Sequence, residues 1–348
     1  RVGRLTNLKP QAKANNMLKI AIIGGGAWGT ALACVVRRSG HEAVMWIREP
    51  EVVELINAGL GNPIFLPDTE IETDIVATSD LAAAAANSDA ILLVVPAQFL
   101  RRVMENLHTS LRPGTPLVIC SKGVEQGTCS LMTEVVIETT VNHPIAVLSG
   151  PTFAREVAAG LPTAVTLACE DEHVGQRLIE IIGGERFRPY YSNDPIGAEI
   201  GGAVKNVLAI ACGIVTGKKF GDNARAALIT RGLAEMVRLG LAKGAKFETM
   251  MGLSGLGDLT LTCNGKQSRN MSLGMALGEG RSLSDILAER RSIAEGVDSS
   301  RSMSALANRL GVEMPICDSI NRILHKDENV DDVIRALLRR PFRAEAQS

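Results

Sequence analysis

Aromatic residues and an excess of either charge are what this sequence most clearly lacks. Phe, Trp and Tyr make up 3 % of the 348 positions, which leaves little for stacking on bases. Lys and Arg (37) balance Asp and Glu (38), so the net charge of −1 offers no basic excess to a phosphate backbone. Hydrophobic residues at 46 % and charged residues at 22 % are typical of a globular protein. We therefore expect a globular protein, long enough for two domains, that binds no nucleic acid.

Paired cysteines and histidine motifs are also missing. The seven cysteines are an odd number and include no Cys-x-x-Cys pair, which argues against a disulfide framework and a zinc knuckle. His41-Glu42 is followed by Met45 where a zinc protease helix needs its second histidine. We predict a reducing compartment and no metal site.

Long apolar runs of the kind that cross membranes are nearly absent. Residues 1–16 are polar and basic, and we interpret them as a flexible tail, as we do residues 341–348. Residues 200–217 reach about the minimum length of a span, but Lys205 and Asn206 interrupt them at a costly depth. We expect a buried helix there, no stable membrane insertion, and a cytoplasmic protein.

Short apolar runs alternate with helical stretches from residue 17 to residue 191. The runs are rich in Val, Ile and Leu without polar alternation, which is typical of strands covered by helices on both faces. They lie at 18–23, 43–47, 90–95, 116–120, 144–148 and 164–168. From 192 to 340 apolar residues recur every three or four positions instead. The predicted fold class is α/β, with a Rossmann-type, doubly wound, mainly parallel sheet that binds NAD(P) and a C-terminal all-helical domain for substrate and catalysis.

A glycine-rich turn follows the first apolar run. Residues 24–29 read Gly-Gly-Gly-Ala-Trp-Gly and fit the G-x-G-x-x-G pattern in a strand–turn–helix setting. There Gly24 makes the tight turn, Gly26 lets the backbone approach a pyrophosphate, and Gly29 lets the helix pack closely. The helix N-terminus adds N–H donors. This stretch, which we call the glycine fingerprint, predicts a dinucleotide site.

The end of the second apolar run bears on the choice of dinucleotide. An acid about 20 residues past the fingerprint normally binds the ribose hydroxyls of NAD. Here Arg48 follows the run and Glu49 comes one place later. Because an arginine at that point holds a 2′-phosphate, we favour NADP(H), while Glu49 keeps NAD(H) open.

Lys205 is the most informative single residue. It lies in an almost uncharged helix, where burial lowers a lysine pKa and makes it usable as a proton donor and acceptor. The preceding Gly201 and Gly202 are expected to leave room for a ligand. Lys122 follows a strand, so its position predicts that it points into the crevice at the carboxyl ends of the strands, where the ligand is expected. Asp258 either caps a helix or holds the buried ammonium group of Lys205. The alternatives are a Lys205 side chain that snorkels to solvent and a Lys122 side chain on the surface.

An anion site is predicted at residues 268–270. Arg269 offers a planar fork of donors, and Ser268 and Asn270 flank it with more. This combination suits a phosphate group.

Several long strings now point to one family. Residues 17 to about 340 resemble the bacterial NAD(P)-dependent glycerol-3-phosphate dehydrogenases. The strings that carry the resemblance include GGGAWGTALA (24–33), SKGVE (121–125), LSGPTFAREVAAGLPTA (148–164), GGAVKN (201–206), GLSGLGDLTLTC (252–263) and QSRN (267–270). The resemblance implies that sn-glycerol 3-phosphate and dihydroxyacetone phosphate are interconverted for phospholipid synthesis.

The resemblance also implies roles for particular residues. Lys205 matches the family's proton donor and acceptor. The positions matching the family's substrate contacts are Lys122, Gly150, Thr152, Lys205, Asp258, Ser268, Arg269 and Asn270. Those matching its nucleotide contacts, beyond the fingerprint glycines, are Ala27, Trp28, Arg48, Lys122, Ala154, Arg269, Ile293 and Glu295. Ala27 departs from the family's usual serine, and the missing hydroxyl is expected to weaken cofactor binding somewhat.

Two rival functions remain open at this point. A related β-hydroxyacid dehydrogenase with a carboxylate substrate would share the two-domain plan, although the segment 252–270 disfavours it. A dinucleotide sensor without catalysis would have no use for Lys205, Asp258 and Arg269 together. The expected partner is a small phosphorylated triose, and a second copy of the chain in a homodimer is a candidate partner.

Overall fold

The structure, a computed structural model, describes residues 17–265, 267–289 and 294–341. Its strands in this part of the chain form one eight-stranded sheet in the order β3-β2-β1-β4-β5-β6-β7-β8. The strands are Lys19–Ile23 (β1), Glu42–Trp46 (β2), Val76–Thr78 (β3), Ala90–Leu93 (β4), Leu117–Ile119 (β5), Ile145–Ser149 (β6), Thr163–Cys169 (β7) and Phe187–Ser192 (β8). Strands β1 to β6 pair in parallel, as do β7 and β8. The β6–β7 pair is antiparallel. The predicted mainly parallel, Rossmann-type sheet is confirmed.

Helices cover both faces of this sheet. Those that follow its strands are Ala27–Arg38 (α1), Pro50–Asn57 (α2), Leu81–Ala85 (α3), Leu100–Leu107 (α4), Met132–Thr139 (α5), Ala154–Ala158 (α6) and Glu172–Ile182 (α7). Apolar residues of α1, α2, α6 and α7 share one core, while those of α3, α4 and α5 share another. Each strand between the two cores is buried on both sides, which explains its continuous apolar sequence.

The sequence did not predict the two edge strands, β3 and β8. Strand β3 has three residues and exposes Val76, so it offers no apolar run. Strand β8 buries Phe187, exposes Arg188 and Tyr190, and includes Pro189. An edge strand has solvent along one side, and its sequence lacks the unbroken apolar character of the central strands.

Helices alone follow the last strand. They are Pro195–Gly217 (α8), Gly221–Lys243 (α9), Phe247–Met250 (α10), Asp258–Asn264 (α11), Arg269–Gly278 (α12), Leu283–Ala288 (α13), Glu295–Leu310 (α14), Pro315–His325 (α15) and Val330–Leu338 (α16). A π-helical turn, Leu253–Gly257, precedes α11. The predicted all-helical second part is confirmed. The domain limits at 191 and 340 stay predictions, and the tails lie outside the described residues except for Pro341.

Helix α8 is the centre of the helical part. Every residue from Gly197 to Ile214 is buried, and α9, α11, α12, α14 and α15 pack around it. In the described chain, α8 is the one helix long and apolar enough to cross a membrane, and 83 % of its apolar window is buried inside the protein. This burial is typical of a core helix, as its sequence predicted.

Helices α8 and α12 lie unusually close together. A Cβ atom at Gly213 would lie 2.2 Å from the carbonyl oxygen of Met271, and one at Gly274 would lie 2.0 Å from that of Ile210. No side chain fits at either position, so the two backbones pack directly against each other. We call this contact the α8–α12 seam. It sets the N-terminus of α12 beside Lys205.

Candidate active site

The fingerprint adopts the turn that its glycines predict. Gly24 has a φ of +135°, and a Cβ there would lie 2.9 Å from the carbonyl carbon of Val94. Its N–H donates to the carbonyl oxygen of Trp46 at 3.0 Å, which ties the turn to β2. A Cβ at Gly29 would lie 1.9 Å from the carbonyl oxygen of Gly24. Gly24 and Gly29 are therefore required by the protein's own packing.

Gly26 differs because the space around it is open. No atom lies within 4 Å of where its Cβ would stand, and as N-cap residue of α1 it gives the helix no side-chain cap. The Nε1 atom of Trp28 is buried and has no hydrogen-bond partner within the described residues. Uncapped N–H groups, an open approach and an unpartnered donor suit the pyrophosphate of a dinucleotide. Ala27 begins the helix between these two residues.

Arg48 lies beside the fingerprint at the end of β2. A Cβ at Gly25 would lie 2.4 Å from the Ile47 side chain, so the turn rests on the residue before Arg48. The Nε and Nη2 atoms of Arg48 donate to Oε1 of Glu49 at 3.0 and 2.7 Å. The Arg48 side chain is nevertheless 75 % exposed and open to a ligand.

A buried carboxylate shared by two lysines forms the second part of the site. Lys205 Nζ lies 2.5 Å from Oδ1 of Asp258, and Lys122 Nζ lies 2.7 Å from Oδ2. Asp258 is fully buried and the Lys205 side chain is 7 % exposed, so Lys205 does not snorkel to solvent. Lys205 also donates to Oγ1 of Thr262 at 3.0 Å. We call Lys122, Lys205 and Asp258 the lysine–aspartate cluster.

The surroundings of Lys205 tune its proton affinity. Burial lowers the pKa of Lys205 to about 8, and the positive charge of Lys122 adds to this shift. The negative charge of Asp258 opposes it. A pKa near 8 lets Lys205 hold or release a proton close to neutral pH, which suits a general acid and base.

The ends of β5 and β6 bring further predicted residues to this cluster. Lys122 follows β5 and donates to the carbonyl oxygen of Gly150 at 3.3 Å. The Thr152 hydroxyl donates to the same oxygen at 3.3 Å. Gly150 has a φ of +156°, and a Cβ there would lie 2.9 Å from Cα of Val165. The carboxyl ends of two parallel strands thus place Lys122, Gly150 and Thr152 together.

The N-terminus of α12 lies on another side of the cluster. Ser268 caps the helix by accepting from the Met271 N–H at 3.2 Å, and Arg269 is exposed. Asn270 is buried, donates to Oδ1 of Asn206 at 3.0 Å and accepts from the Gly296 N–H at 3.0 Å. Asn270 therefore joins α8, α12 and α14 in this structure.

Glu295, the first residue of α14, connects these groups electrostatically. Burial raises the pKa of the Glu295 carboxyl, and the charges of Arg269, Lys122 and Lys205 oppose that shift. Arg269 and the two lysines thus act on the same carboxylate.

Comparison with known proteins agrees with this arrangement. Residues 19–175 match the family model of the NAD-dependent glycerol-3-phosphate dehydrogenase N-terminus, and residues 194–335 match that of the C-terminus. The chain is 59 % identical to "Glycerol-3-phosphate dehydrogenase [NAD(P)+]" of Parvibaculum lavamentivorans over 327 residues, which cover 94 % of this chain and 98 % of the relative. The protein of the same name from Rhodospirillum rubrum is 57 % identical, and 94 % of each chain is covered.

A solved structure gives the same answer. The crystal structure of glycerol-3-phosphate dehydrogenase from Coxiella burnetii matches with a TM-score of 0.89 at 42 % identity, over 93 % of this chain and 99 % of that one. The chain belongs to the NAD-dependent glycerol-3-phosphate dehydrogenase family. The family resemblance seen in the sequence is therefore confirmed.

In this family member the predicted site residues fall into two groups. The fingerprint and Arg48 lie at the ends of β1 and β2. The other predicted site residues that the structure describes lie around the lysine–aspartate cluster or at the helix termini next to it. Ala154 begins α6, two residues after Thr152. Ile293 lies outside the described residues.

The expectation that Gly201 and Gly202 leave room for a ligand was wrong. A Cβ at Gly201 would lie 2.3 Å from the carbonyl oxygen of Ser254, and one at Gly202 would lie 2.9 Å from the hydroxyl of Ser149. The protein itself fills the space that these glycines leave. They let α8 approach the π-helical turn and the end of β6, which brings Lys205 to Asp258.

Sequence reasoning assigned no role to Thr262 or Asn206. Thr262 lies four residues after Asp258 on α11, so helical spacing places both on one face toward Lys205. That spacing was a usable signal. Asn206 is paired with Asn270 across the α8–α12 seam, and nothing in the sequence indicates that contact.

Proposed function

We propose that this protein interconverts sn-glycerol 3-phosphate and dihydroxyacetone phosphate with NAD(H) or NADP(H). The observation that carries the proposal is the carboxylate of Asp258 shared by Lys205 and Lys122, deep in a site at the carboxyl ends of the strands. Such a cluster supplies a proton donor and acceptor, which a reaction that moves a hydride to or from a carbonyl carbon needs and nucleotide binding alone does not. The names of the close relatives support this substrate pair.

The residues present fit a nicotinamide dinucleotide. The fingerprint residues Gly24, Gly26, Ala27, Trp28 and Gly29 would hold its pyrophosphate. Arg48 would meet the adenosine ribose and favours NADP(H), because its exposed guanidinium suits a 2′-phosphate. The further contacts we propose, carried over from the family, are Lys122, Ala154, Arg269, Ile293 and Glu295. When bound, the nicotinamide supplies a hydride in one direction and accepts it in the other.

Lys205 is the proposed catalytic residue. In reduction its protonated Nζ donates a proton to the C2 oxygen of dihydroxyacetone phosphate, and in oxidation its neutral form takes the hydroxyl proton of glycerol 3-phosphate. Asp258 and Thr262 accept from Nζ at 2.5 and 3.0 Å, so they fix the direction of its remaining proton. Lys122 adds a second positive charge near the oxygen that becomes negative in the transition state.

The substrate phosphate is assigned to the N-terminus of α12. Arg269 provides a charged fork there, Ser268 and Asn270 provide further donors, and the helix dipole favours an anion. On the opposite side, Gly150, Thr152 and Lys122 line the end of the sheet near the cluster. Binding energy from the phosphate would hold C2 in place beside Lys205.

We also propose the setting in which the protein works. Residues 17–191 serve as the cofactor domain and residues 192–340 as the substrate and catalytic domain, since the strands end at Ser192 and α8 begins at Pro195. A cytoplasmic location and a homodimer complete the proposal, with phospholipid synthesis as the process supplied. The seven cysteines are all free and buried, which suits a reducing compartment.

The experiment that tests the function is NADPH oxidation followed at 340 nm with dihydroxyacetone phosphate. Parallel reactions use NADH and, in place of the triose phosphate, a 2-keto-3-hydroxy acid. We expect turnover with the triose phosphate. Turnover with the acid alone would instead indicate a β-hydroxyacid dehydrogenase, and NADPH binding without any turnover would indicate a sensor.

Replacing Lys205 by Ala separates catalysis from binding. We expect kcat to fall by about 10²- to 10⁴-fold, which is the usual contribution of a general acid. NADPH affinity, measured by quenching of protein fluorescence, should stay within about twofold of the wild type, because Lys205 lies in the buried cluster and not in the fingerprint. An equal loss of turnover and NADPH binding would contradict the catalytic assignment.

A further inference from the structure

The end of β2 carries two opposite charges in direct contact. Arg48 donates through both Nε and Nη2 to a single oxygen of Glu49, Oε1, at 3.0 and 2.7 Å. In the described part of the chain, the second oxygen of Glu49 accepts no hydrogen bond. The side chain that would meet a 2′-phosphate is therefore already paired, and its partner still has a free acceptor.

The two side chains differ in how firmly they are held. Glu49 is the N-cap residue of α2, followed by Pro50, and its carbonyl oxygen accepts from the N–H groups of Val52 and Val53. Its side chain is 28 % exposed, against 75 % for Arg48. The helix start thus fixes the backbone of Glu49, and its less exposed carboxylate, which makes no cap hydrogen bond, is held by Arg48. The more exposed guanidinium can turn away from it into solvent or toward a ligand.

The pair lies where a dinucleotide-binding protein distinguishes NADP(H) from NAD(H). The Ile47 side chain packs under Gly25, and the N–H of Gly24 donates to Trp46, so the chain on which Arg48 and Glu49 follow is attached to the fingerprint turn. An acid at this end of the second strand binds ribose hydroxyls, and an arginine here binds a 2′-phosphate. This chain presents both groups side by side.

We propose that Glu49 is a specificity-determining residue that keeps the protein able to use both cofactors. With NADP(H), the 2′-phosphate competes with Glu49 for the Arg48 guanidinium, which weakens binding of the phosphorylated cofactor. With NAD(H), the Glu49 carboxylate accepts from the ribose hydroxyls and Arg48 stays on its other oxygen. This inference rests on the proposed function, because it concerns the cofactor of that reaction.

The size of the effect follows from the exposure of the pair. Exposed ion pairs are weak, so displacing Glu49 should cost NADP(H) about two- to fivefold in affinity. A carboxylate that accepts from a ribose hydroxyl should favour NAD(H) by a similar factor. The ratio of the two specificities should therefore shift by about four- to twenty-five-fold when Glu49 loses its charge.

The test is Glu49→Gln with Glu51→Gln as its matched control. Glu51 lies two residues further on α2 and is exposed, so its replacement changes the net charge equally without touching Arg48. For Glu49→Gln we expect a lower KM for NADPH and a higher KM for NADH, with kcat nearly unchanged for both. Equal shifts in the two variants would show that only the general charge matters, and would overturn the proposal.

A double variant tests whether Glu49→Gln acts through Arg48. In an Arg48→Ala background, Glu49→Gln should no longer improve NADPH binding, since no guanidinium remains to be released. An improvement of the same size in that background would contradict the proposal, as would a loss of affinity for both cofactors with Glu49→Gln alone. Nicotinamide fluorescence with NADPH or NADH alone measures these affinities without turnover, so the result stands apart from the identity of the substrate.

Discussion

At the scale of single residues, the proton of Lys205 is held by opposing forces. Burial and Lys122 favour the neutral amine, while Asp258 favours the ammonium, and the result is a pKa of about 8. In the proposed mechanism, reduction of the carbonyl needs the protonated lysine, and oxidation of the alcohol needs the neutral one. The two directions of the reaction therefore depend on opposite forms of one group.

The first prediction concerns the pH dependence of both directions. The rate of dihydroxyacetone phosphate reduction should fall as pH rises through about 8, because protonated Lys205 is lost. The rate of glycerol 3-phosphate oxidation should rise through the same pH. Initial rates from pH 6 to 10 at saturating substrate measure the falling limb of the reduction rate and the rising limb of the oxidation rate. If both rates rose, or both fell, through this pH range, the result would contradict the proposed role of Lys205.

Replacing either of two charged neighbours of Lys205 should shift the pH at which the reduction limb falls, and the two replacements should shift it in opposite directions. Asp258→Asn removes the charge that raises the Lys205 pKa, so the limb moves to lower pH. Lys122→Met removes the charge that lowers it, so the limb moves to higher pH. Both variants will also lower the rate, and the informative quantity is the position of the limb.

At the scale of elements, two helix N-termini are capped by buried carboxylates from other helices. Glu235 of α9 accepts from the N–H groups of Ile316 and Cys317 at the start of α15, at 2.7 and 3.1 Å. Glu199 of α8 accepts from the N–H and the hydroxyl of Thr133 at the start of α5, at 2.9 and 2.6 Å. Burial raises the pKa of each carboxyl to about 7.

The two caps should respond differently to amide replacement. In Glu235→Gln one backbone N–H faces an NH₂ group, which should cost about 1–3 kcal/mol of unfolding free energy. In Glu199→Gln the NH₂ group can donate to the Thr133 hydroxyl, so the loss should stay below about 1 kcal/mol. Urea unfolding of the two variants at pH 6 measures this, and equal losses would contradict the distinction.

The pH dependence of stability checks the state of Glu199. Its pKa is raised from 4.5 to about 7 in the folded protein, so its contribution to stability is full below pH 4.5 and is lost as pH rises through 7. Glu199→Gln does not titrate. As the pH rises from 4.5 to 7, the unfolding free energy of the wild type should therefore fall relative to that of Glu199→Gln.

At the scale of the whole molecule, the α8–α12 seam sets how far the proposed phosphate site at the start of α12 lies from Lys205. Gly274→Ala would place a methyl group 2.0 Å from the carbonyl oxygen of Ile210, so the helices must separate. We expect a loss of about 1–3 kcal/mol in unfolding free energy and a higher KM for dihydroxyacetone phosphate. Gly184→Ala is the control, since its nearest atom would be 3.8 Å away. Thermal unfolding and initial rates test both variants.

Much of this architecture could be predicted because buried parallel strands and glycine turns leave strong local patterns. Strand β1, the fingerprint and α1 lie where the sequence placed them, and the shared family strings identified the lysine–aspartate cluster. Contacts between distant segments could not be predicted. The purpose of Gly201 depends on Ser254, and the pairing of Asn206 depends on Asn270, 64 residues away. Such tertiary contacts have no periodicity or spacing to reveal them.

The burial of α8 along most of its length has a consequence for how this protein can evolve. A helix enclosed from Gly197 to Ile214 has no outward side on which substitutions accumulate harmlessly. New substrate or cofactor preferences must therefore arise outside α8, for example at the end of β2 or at the start of α12, the helix that packs against α8. The helix that carries Lys205, the proposed proton donor, therefore has little freedom to diverge.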